Sequence, residues 1–314
     1  MAQIFEGSPI PSLPHGSVVA VGVFDGVHRG HAQVLKRVRA LADELGAPAV
    51  VITFDRHPAT VVRPESAPRL LSTLEQRVGW FEQYFGIDHT YVVRFDETKS
   101  LLAPEDFFAE YVVGTWHAQA LVQGENFHFG HRRRGDVEAL NELGARAGVK
   151  IDVVPLLSDD VSGEVISSAA VRHALATSDP ITAKRLLGHD HELRGVVEHG
   201  DKRGRTIGVP TANVAVPGDL LLPEIGVYSG YYERPDGSVY RAAINIGRRP
   251  TFYEENGLLL VEAHLLDFDG DLYGEVARVR VDRWIRGQVK FDGIDALAAQ
   301  LQRDIAVTRE TAGE

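Results

Sequence analysis

Cysteine is absent from this 314-residue sequence, which rules out disulfides, thiolate metal sites and cysteine nucleophiles. Long apolar runs are missing too. No stretch approaches the roughly 18 residues needed to cross a bilayer, and Met1 to His15 lacks the basic start and apolar stretch of a secretion signal. A soluble cytoplasmic chain with no membrane partner is the expectation. Basic residues are outnumbered, 33 against 44 acidic ones, for a formal net charge of -11. A nucleic-acid partner is therefore not expected, because such surfaces reward a basic face. Basic clusters are local, at Arg132, Arg133 and Arg134, at Lys202, Arg203 and Arg205, and at Arg248 and Arg249. A Walker A loop is lacking as well. Gly200-Asp201-Lys202-Arg203-Gly204-Arg205-Thr206 has the wrong spacing and no lysine where that motif requires one, so a P-loop kinase is not indicated.

What is present is enough for two cores. The length exceeds one ordinary domain, and 44% hydrophobic with 25% charged residues is the composition of a folded globular chain. The first half alternates short apolar runs with helical patterns, as in a parallel sheet wrapped by helices. Ser17 to Val23 reads as a strand. Val34, Leu35, Val38, Leu41 and Leu45 then recur at helical spacing up to a C-cap glycine, Gly46, and Ala49 to Phe54 is the next strand. Ser72 and Glu75 read as a capping box opening a helix that ends near Gly86. Strand-like segments at Tyr91 to Val93, Ala120 to Val122 and Val149 to Val154 alternate with helices through Phe107 to Val112 and from Asp136 to about Ala147. After Asp179 the texture changes: a short helix opened by Pro180 ends at Gly188, and strands with glycine-rich turns take over. Val227 to Tyr232, Tyr240 to Ile246, Leu258 to Leu266 and Val276 to Trp284 fit a small antiparallel barrel, with a helix from Ile294 to Ile305 beside it. The expected fold is α/β: a Rossmann-like domain over residues 1–184 and a β-barrel domain over 185–314.

Two constellations carry the chemistry. Gly22-Val23-Phe24-Asp25-Gly26-Val27-His28-Arg29-Gly30-His31 falls where the first of these strands hands over to a helix. Ligands bind beyond the carboxyl ends of parallel strands, and a helix N-terminus offers free amides to a phosphate. His28 and His31 lie three apart, on one helical face, and Gly26 and Gly30 leave room for close approach. Two imidazoles there suit the charge that develops when the α-phosphate of ATP is attacked. Alone, either histidine reads as an ordinary turn residue, and a zinc pair lacks a third ligand. In the second half, Thr211 and Asn213 lie two apart in an extended segment and suit a hard cation such as Mg2+. Glu262 and His264 share one face of a strand, where a carboxylate could take the proton of an attacking alcohol; alone, Glu262 reads as a solvent-facing residue.

The N-terminal segment resembles the glycine-histidine turn of the nucleotidyltransferases, in the form found in bacterial bifunctional riboflavin kinase/FMN adenylyltransferases. Thr53 to Pro58, Gly124 to Gly130, and Ile166-Ser167-Ser168 to Arg172 agree in order. The resemblance implies that Gly22, Phe24, Asp25, Gly30, Ser167, Ser168 and Arg172 handle ATP and its phosphates, and that Asn126, Asp55 and His57 handle the flavin. Ala169 stands where the family usually has threonine. Gly200 to Asn213, Pro223 to Tyr228, Asn245 to Phe252, Glu262 to Phe268 and Asp271 to Gly274 are similar to riboflavin kinases, with Val209 for the more common phenylalanine. This implies a six-stranded barrel, phosphate contacts from Gly200, Lys202, Gly204 and Arg205, Thr211 and Asn213 on Mg2+-ATP, and Glu262 as base. The implied enzyme makes FMN from riboflavin at the barrel, then FAD from FMN at the sheet, with ATP as co-substrate of both steps. A kinase with a non-catalytic flavin-nucleotide-binding first domain, and a flavin sensor, are the rival readings; a homo-oligomer is left open.

Overall fold

The computed structural model describes residues 2–200, 208–249 and 258–311. The chain divides into two compact units, Met1–Ser168 and Ala169–Glu314.

In the first unit six parallel strands are ordered β1-β4-β3-β2-β5-β6: β1 Ala2–Phe5, β2 Ser17–Val21, β3 Ala49–Phe54, β4 His89–Val93, β5 Ala118–Gly124 and β6 Lys150–Val154. Every residue of β2 and β3 is buried, as strands covered on both faces must be, which is why they read as continuous apolar runs. Residues two apart face the same way. Val19, Val21 and Leu121 therefore join one core layer with Tyr91 and Trp116, while Val18, Ala20 and Val122 join the layer under the first helix. The helical elements are α1 Arg29–Leu45, α2 Ala59–Val62, α3 Leu74–Phe85, α4 Glu97–Ser100, α5 Pro104–Phe107, which runs on as a wider π-type turn to Thr115, and α6 Val137–Ala147. Gly46 and Gly86 close α1 and α3 in the left-handed conformation, at φ 62° and 60°, as C-cap glycines do. The capping box of α3 sits one residue later than its sequence suggests, on Thr73 and Gln76, because Ser72 is bonded elsewhere, to Asp25 and Gly26. The chain runs outward from β2 to β3 and β4 on one side and from β5 to β6 on the other. The order thus reverses between β2 and β5, where open α/β sheets form their ligand crevice.

The second unit begins with α7 Ser168–Ala176 and α8 Pro180–Leu187. Six antiparallel strands follow: β7 His191–Glu198, β8 Ala212–Ala215, β9 Gly226–Glu233, β10 Val239–Arg249, β11 Leu258–Leu265 and β12 Val276–Arg286, closed as β10-β11-β8-β7-β12-β9. Closure leaves no unpaired strand edge. The barrel core takes alternate residues, including Val214, Ile244, Ile246, Val261 and Ala263. Val209 is buried too. The last helix, α9 Ile294–Glu310, is held to the barrel by the buried Asp304, whose Oδ2 meets Arg286 Nη2 at 2.6 Å.

Candidate active sites

The segment joining β2 to α1 turns sharply. Phe24 and Val27 both have positive φ, 51° and 41°, costing about 1–2 kcal/mol each for an L-residue, and Val27 is β-branched besides. The surroundings hold this shape. Asp25, 2% exposed, accepts the amides of Leu71 at 2.9 Å and Ser72 at 3.2 Å and the Ser72 hydroxyl at 3.3 Å. The Gly26 amide donates to Ser72 Oγ at 2.9 Å. From the other side, Ser168 Oγ donates to the Asp25 carbonyl at 3.0 Å. Asp25 and Ser168 thus act on the turn itself, and Ser167 directly precedes α7.

The two histidines meet. His28 is the N-cap of α1, its Nδ1 accepting the His31 amide at 3.3 Å, and the rings stack at 3.6 Å between centroids. An acceptor Nδ1 places the proton of the neutral ring on Nε2. Burial, with the His28 ring and the Arg77 cation adding to it, holds the His31 imidazole well below the usual histidine range. Its Nδ1 is buried with no hydrogen-bond partner. Phe24 packs edge-on against His31, 5.3 Å between centroids. The space at Gly30 is needed by His28: a Cβ there would lie 3.2 Å from its ring and 3.5 Å from the Ile166 carbonyl. At Gly22 a Cβ would meet the Phe24 ring at 3.1 Å. Helix start, stacked imidazoles and the Ile166–Ser168 strap therefore converge at the carboxyl end of β2.

Asp55 and His57 follow β3, the neighbour of β2. Asp55 accepts the Phe95 amide at 2.9 Å and pairs with Arg56 at 3.0 Å, and His57 Nδ1 accepts the Ala59 amide at 3.1 Å. Asn126 follows β5 and is exposed. Arg172 lies on α7 in the second unit.

Two residues here were not foreseen. Arg77 is fully buried under the turn; its Nη1 donates to the Val23 carbonyl and, at 3.2 Å, to Thr53 Oγ1, while Nη2 is buried without a partner. Gln123, 2% exposed at the end of β5, has a buried amide nitrogen without a partner. Their sequence signals are a cation on the apolar stripe Leu74, Val78 and Phe81, and an amide closing the apolar run Ala120-Leu121-Val122.

On the barrel, the polar residues alternate with the core and so stand on its outer wall. Asn213 and Glu262 are register partners of β8 and β11, and Glu262 and Asn245 of β11 and β10. Asn245 Nδ2 donates to Glu262 Oε2 at 2.9 Å, and Gln288 Nε2 to Asn245 Oδ1 at 3.3 Å. His264 Nδ1 lies 2.7 Å from the Pro210 carbonyl oxygen, next to Thr211. Gly200 is required for contact: a Cβ would lie 2.2 Å from Asn213 Nδ2. Lys202, Gly204 and Arg205 lie outside the described residues. The sequence pattern had supplied Thr211, Asn213 and Glu262; Asn245 and Gln288 come from strand pairing, which spacing alone does not encode.

Comparison with known proteins agrees with both halves. Residues 10–170 match the family model described as FAD synthetase, and residues 187–312 that of riboflavin kinase. A bifunctional riboflavin kinase/FMN adenylyltransferase of Bacillus subtilis is 38% identical over 92% of this chain and 90% of its own. The Escherichia coli K12 protein of the same name is 36% identical over 95% and 93%. Among solved structures, one from Streptococcus pneumoniae titled a macrolide-efflux protein superposes with a TM-score of 0.87 at 31% identity, over 98% of this chain and 99% of its own. No helix among the described residues is long and apolar enough to cross a membrane. By the two matched halves and the near full-length relatives, the chain belongs to the bifunctional riboflavin kinase/FMN adenylyltransferases, which phosphorylate riboflavin to FMN and adenylylate FMN to FAD.

Proposed function

We propose that the β2–α1 turn is the adenylylation site and the outer wall of β8, β10 and β11 the kinase site. In the first, the phosphate of FMN attacks the α-phosphorus of ATP, a P–O bond forms, and pyrophosphate leaves. The carrying observation is the stacked pair at the start of α1. His28, acceptor at Nδ1, keeps an Nε2–H to donate to an α-phosphate oxygen, and the amides opening the helix add partial positive charge. A neutral His31 stacks on that ring without placing a full charge beside it. Ser167 joins the phosphate side, with Ser168 holding the turn through the Asp25 carbonyl, and Asn126, Asp55 and His57 form the flavin side.

In the second site, Glu262 accepts the proton of the riboflavin 5'-hydroxyl as its oxygen attacks the γ-phosphorus of ATP and ADP departs. Asn245 donates to one carboxylate oxygen and so fixes the other. Magnesium suits the donors, because the Thr211 hydroxyl and Asn213 amide oxygen are hard ligands of the kind that share Mg2+ with phosphates. Bound there, the ion would neutralise phosphate charge. Lys202, Gly204 and Arg205, outside the described residues, are assigned to the ATP phosphates by the resemblance alone.

Glu262→Gln tests the assignment. Chromatography of products should show riboflavin phosphorylation reduced by about 10²–10⁴-fold, the usual contribution of a general base, with FAD formation from supplied FMN retained. Equal loss of both would refute separate sites.

A further inference from the structure

Between Phe129 and Gly135, which form an antiparallel bridge, the chain after β5 makes a tight turn through three successive arginines. Arg132 and Arg133 both have positive φ, 55° and 57°, the pattern of a type I′ turn, for which Asn-Gly is the favoured pair. The turn is anchored, with the His131 amide donating to Leu102 O at 2.7 Å and His131 Nδ1 lying 3.0 Å from Ser100 O. At Gly130 a Cβ would collide with Pro104 at 2.6 Å. All three arginines are exposed, and among the described residues none of their guanidinium groups meets a carboxylate. The nearest acid in sequence, Asp136, caps α6 through the Ala139 amide at 3.0 Å. In a chain of net charge -11, three unneutralised cations on a strained but fixed backbone are an observation that calls for an anion.

The ligand follows from topology. The turn lies on the carboxyl side of β5, across the β2–β5 reversal from His28 and His31. The buried, unpartnered amide of Gln123 sits at that same strand end. ATP phosphates already have the start of α1, whereas the attacking phosphate must come from the opposite bank of the crevice. We infer that the arginine turn binds the phosphate of the flavin nucleotide and holds it for attack. The inference rests on the adenylylation site proposed above, which it deepens by placing the second anion.

The test replaces the pair by the residues the turn prefers, Arg132→Asn with Arg133→Gly, so that the hairpin is kept and its strain relieved. KM for FMN in FAD formation should rise roughly tenfold or more, as for loss of a charge-assisted contact. KM for ATP and riboflavin phosphorylation should hold, and the melting temperature should not fall. An unchanged KM for FMN, or an equal rise for ATP, would overturn the inference. FMN titration by flavin fluorescence compares the same proteins without turnover: weaker binding by the variant supports the inference and equal binding overturns it. Absence of FAD from the unmodified enzyme would instead count against the adenylylation site itself.

Discussion

Arg77→Met removes a cation that no solvent reaches. Two acceptors lose their donor: the Val23 carbonyl, left with Thr53 Oγ1 at 3.4 Å, and Thr53 Oγ1 itself. The Thr73 carbonyl, 3.4 Å from Arg77 Nε, keeps the Arg77 amide at 3.2 Å. A buried polar group left unsatisfied costs about 1–3 kcal/mol, and Asp25 loses the attraction of the guanidinium, though not its bonds to Leu71 and Ser72. Relief of the cation's desolvation offsets part of this. A net loss of about 2–4 kcal/mol is expected, lowering the melting temperature of the first unit by about 5–15 °C. Because Val23 opens the strained turn, a shift there displaces the imidazoles, and misplacement of about 1 Å costs roughly 10²-fold in rate. FAD formation should fall by that order at a temperature where the variant is still folded, with riboflavin phosphorylation untouched and Arg77→Lys falling between. A methionine variant with wild-type melting and wild-type FAD output would refute the idea that this cation props the turn.

Other outcomes follow from the same geometry. Gly200→Ala drives a methyl into Asn213, so KM for ATP in the kinase reaction should rise severalfold while adenylylation keeps its rate; steady-state kinetics of the two reactions separate the effects. His31 is neutral when folded, its affinity for protons depressed by burial, by His28 and by Arg77. The unfolded chain then binds more protons below about pH 6.5, and stability should decline as pH falls through that value, by up to about 1.4 kcal/mol per unit for this one group. Denaturant titrations from pH 7 to 5 should show a smaller slope in His31→Leu. Thr73→Ala removes the cap that accepts the Gln76 amide at 3.2 Å and should cost about 1 kcal/mol, read as a lower urea midpoint.

The sheet and the barrel were legible because burial on two faces writes apolar runs and burial on one writes alternation. The runs Ser17 to Val23, Ala49 to Phe54 and Leu258 to Leu266 contain the strands Ser17–Val21, Ala49–Phe54 and Leu258–Leu265. β1, only Ala2–Phe5, is too short to show a period, and β7 hides behind mixed polar residues in His191–Glu198. The cap of α3 falls on Thr73 and not Ser72: both are good caps, and only the distant Asp25 decides between them. Site residues on one local segment, such as His28 and His31, could be paired by spacing. Arg77 reaches Val23 across 54 positions of sequence, and Asn245 reaches Glu262 only once β10 and β11 are aligned; such partners exist in the fold and not in any window of residues.

On the barrel wall, consecutive residues have opposite duties: Val261 and Ala263 fill the interior while Glu262 and His264 look outward. Holding the molecule together and serving the proposed kinase site are thereby interleaved with a period of two along a single strand. Inserting one amino acid ahead of Val261 would exchange the two sets, sending the carboxylate inward and the valine to water. Such a lesion should abolish kinase activity and barrel folding in one event, whereas an insertion of two would restore the alternation and shift only its place along the strand.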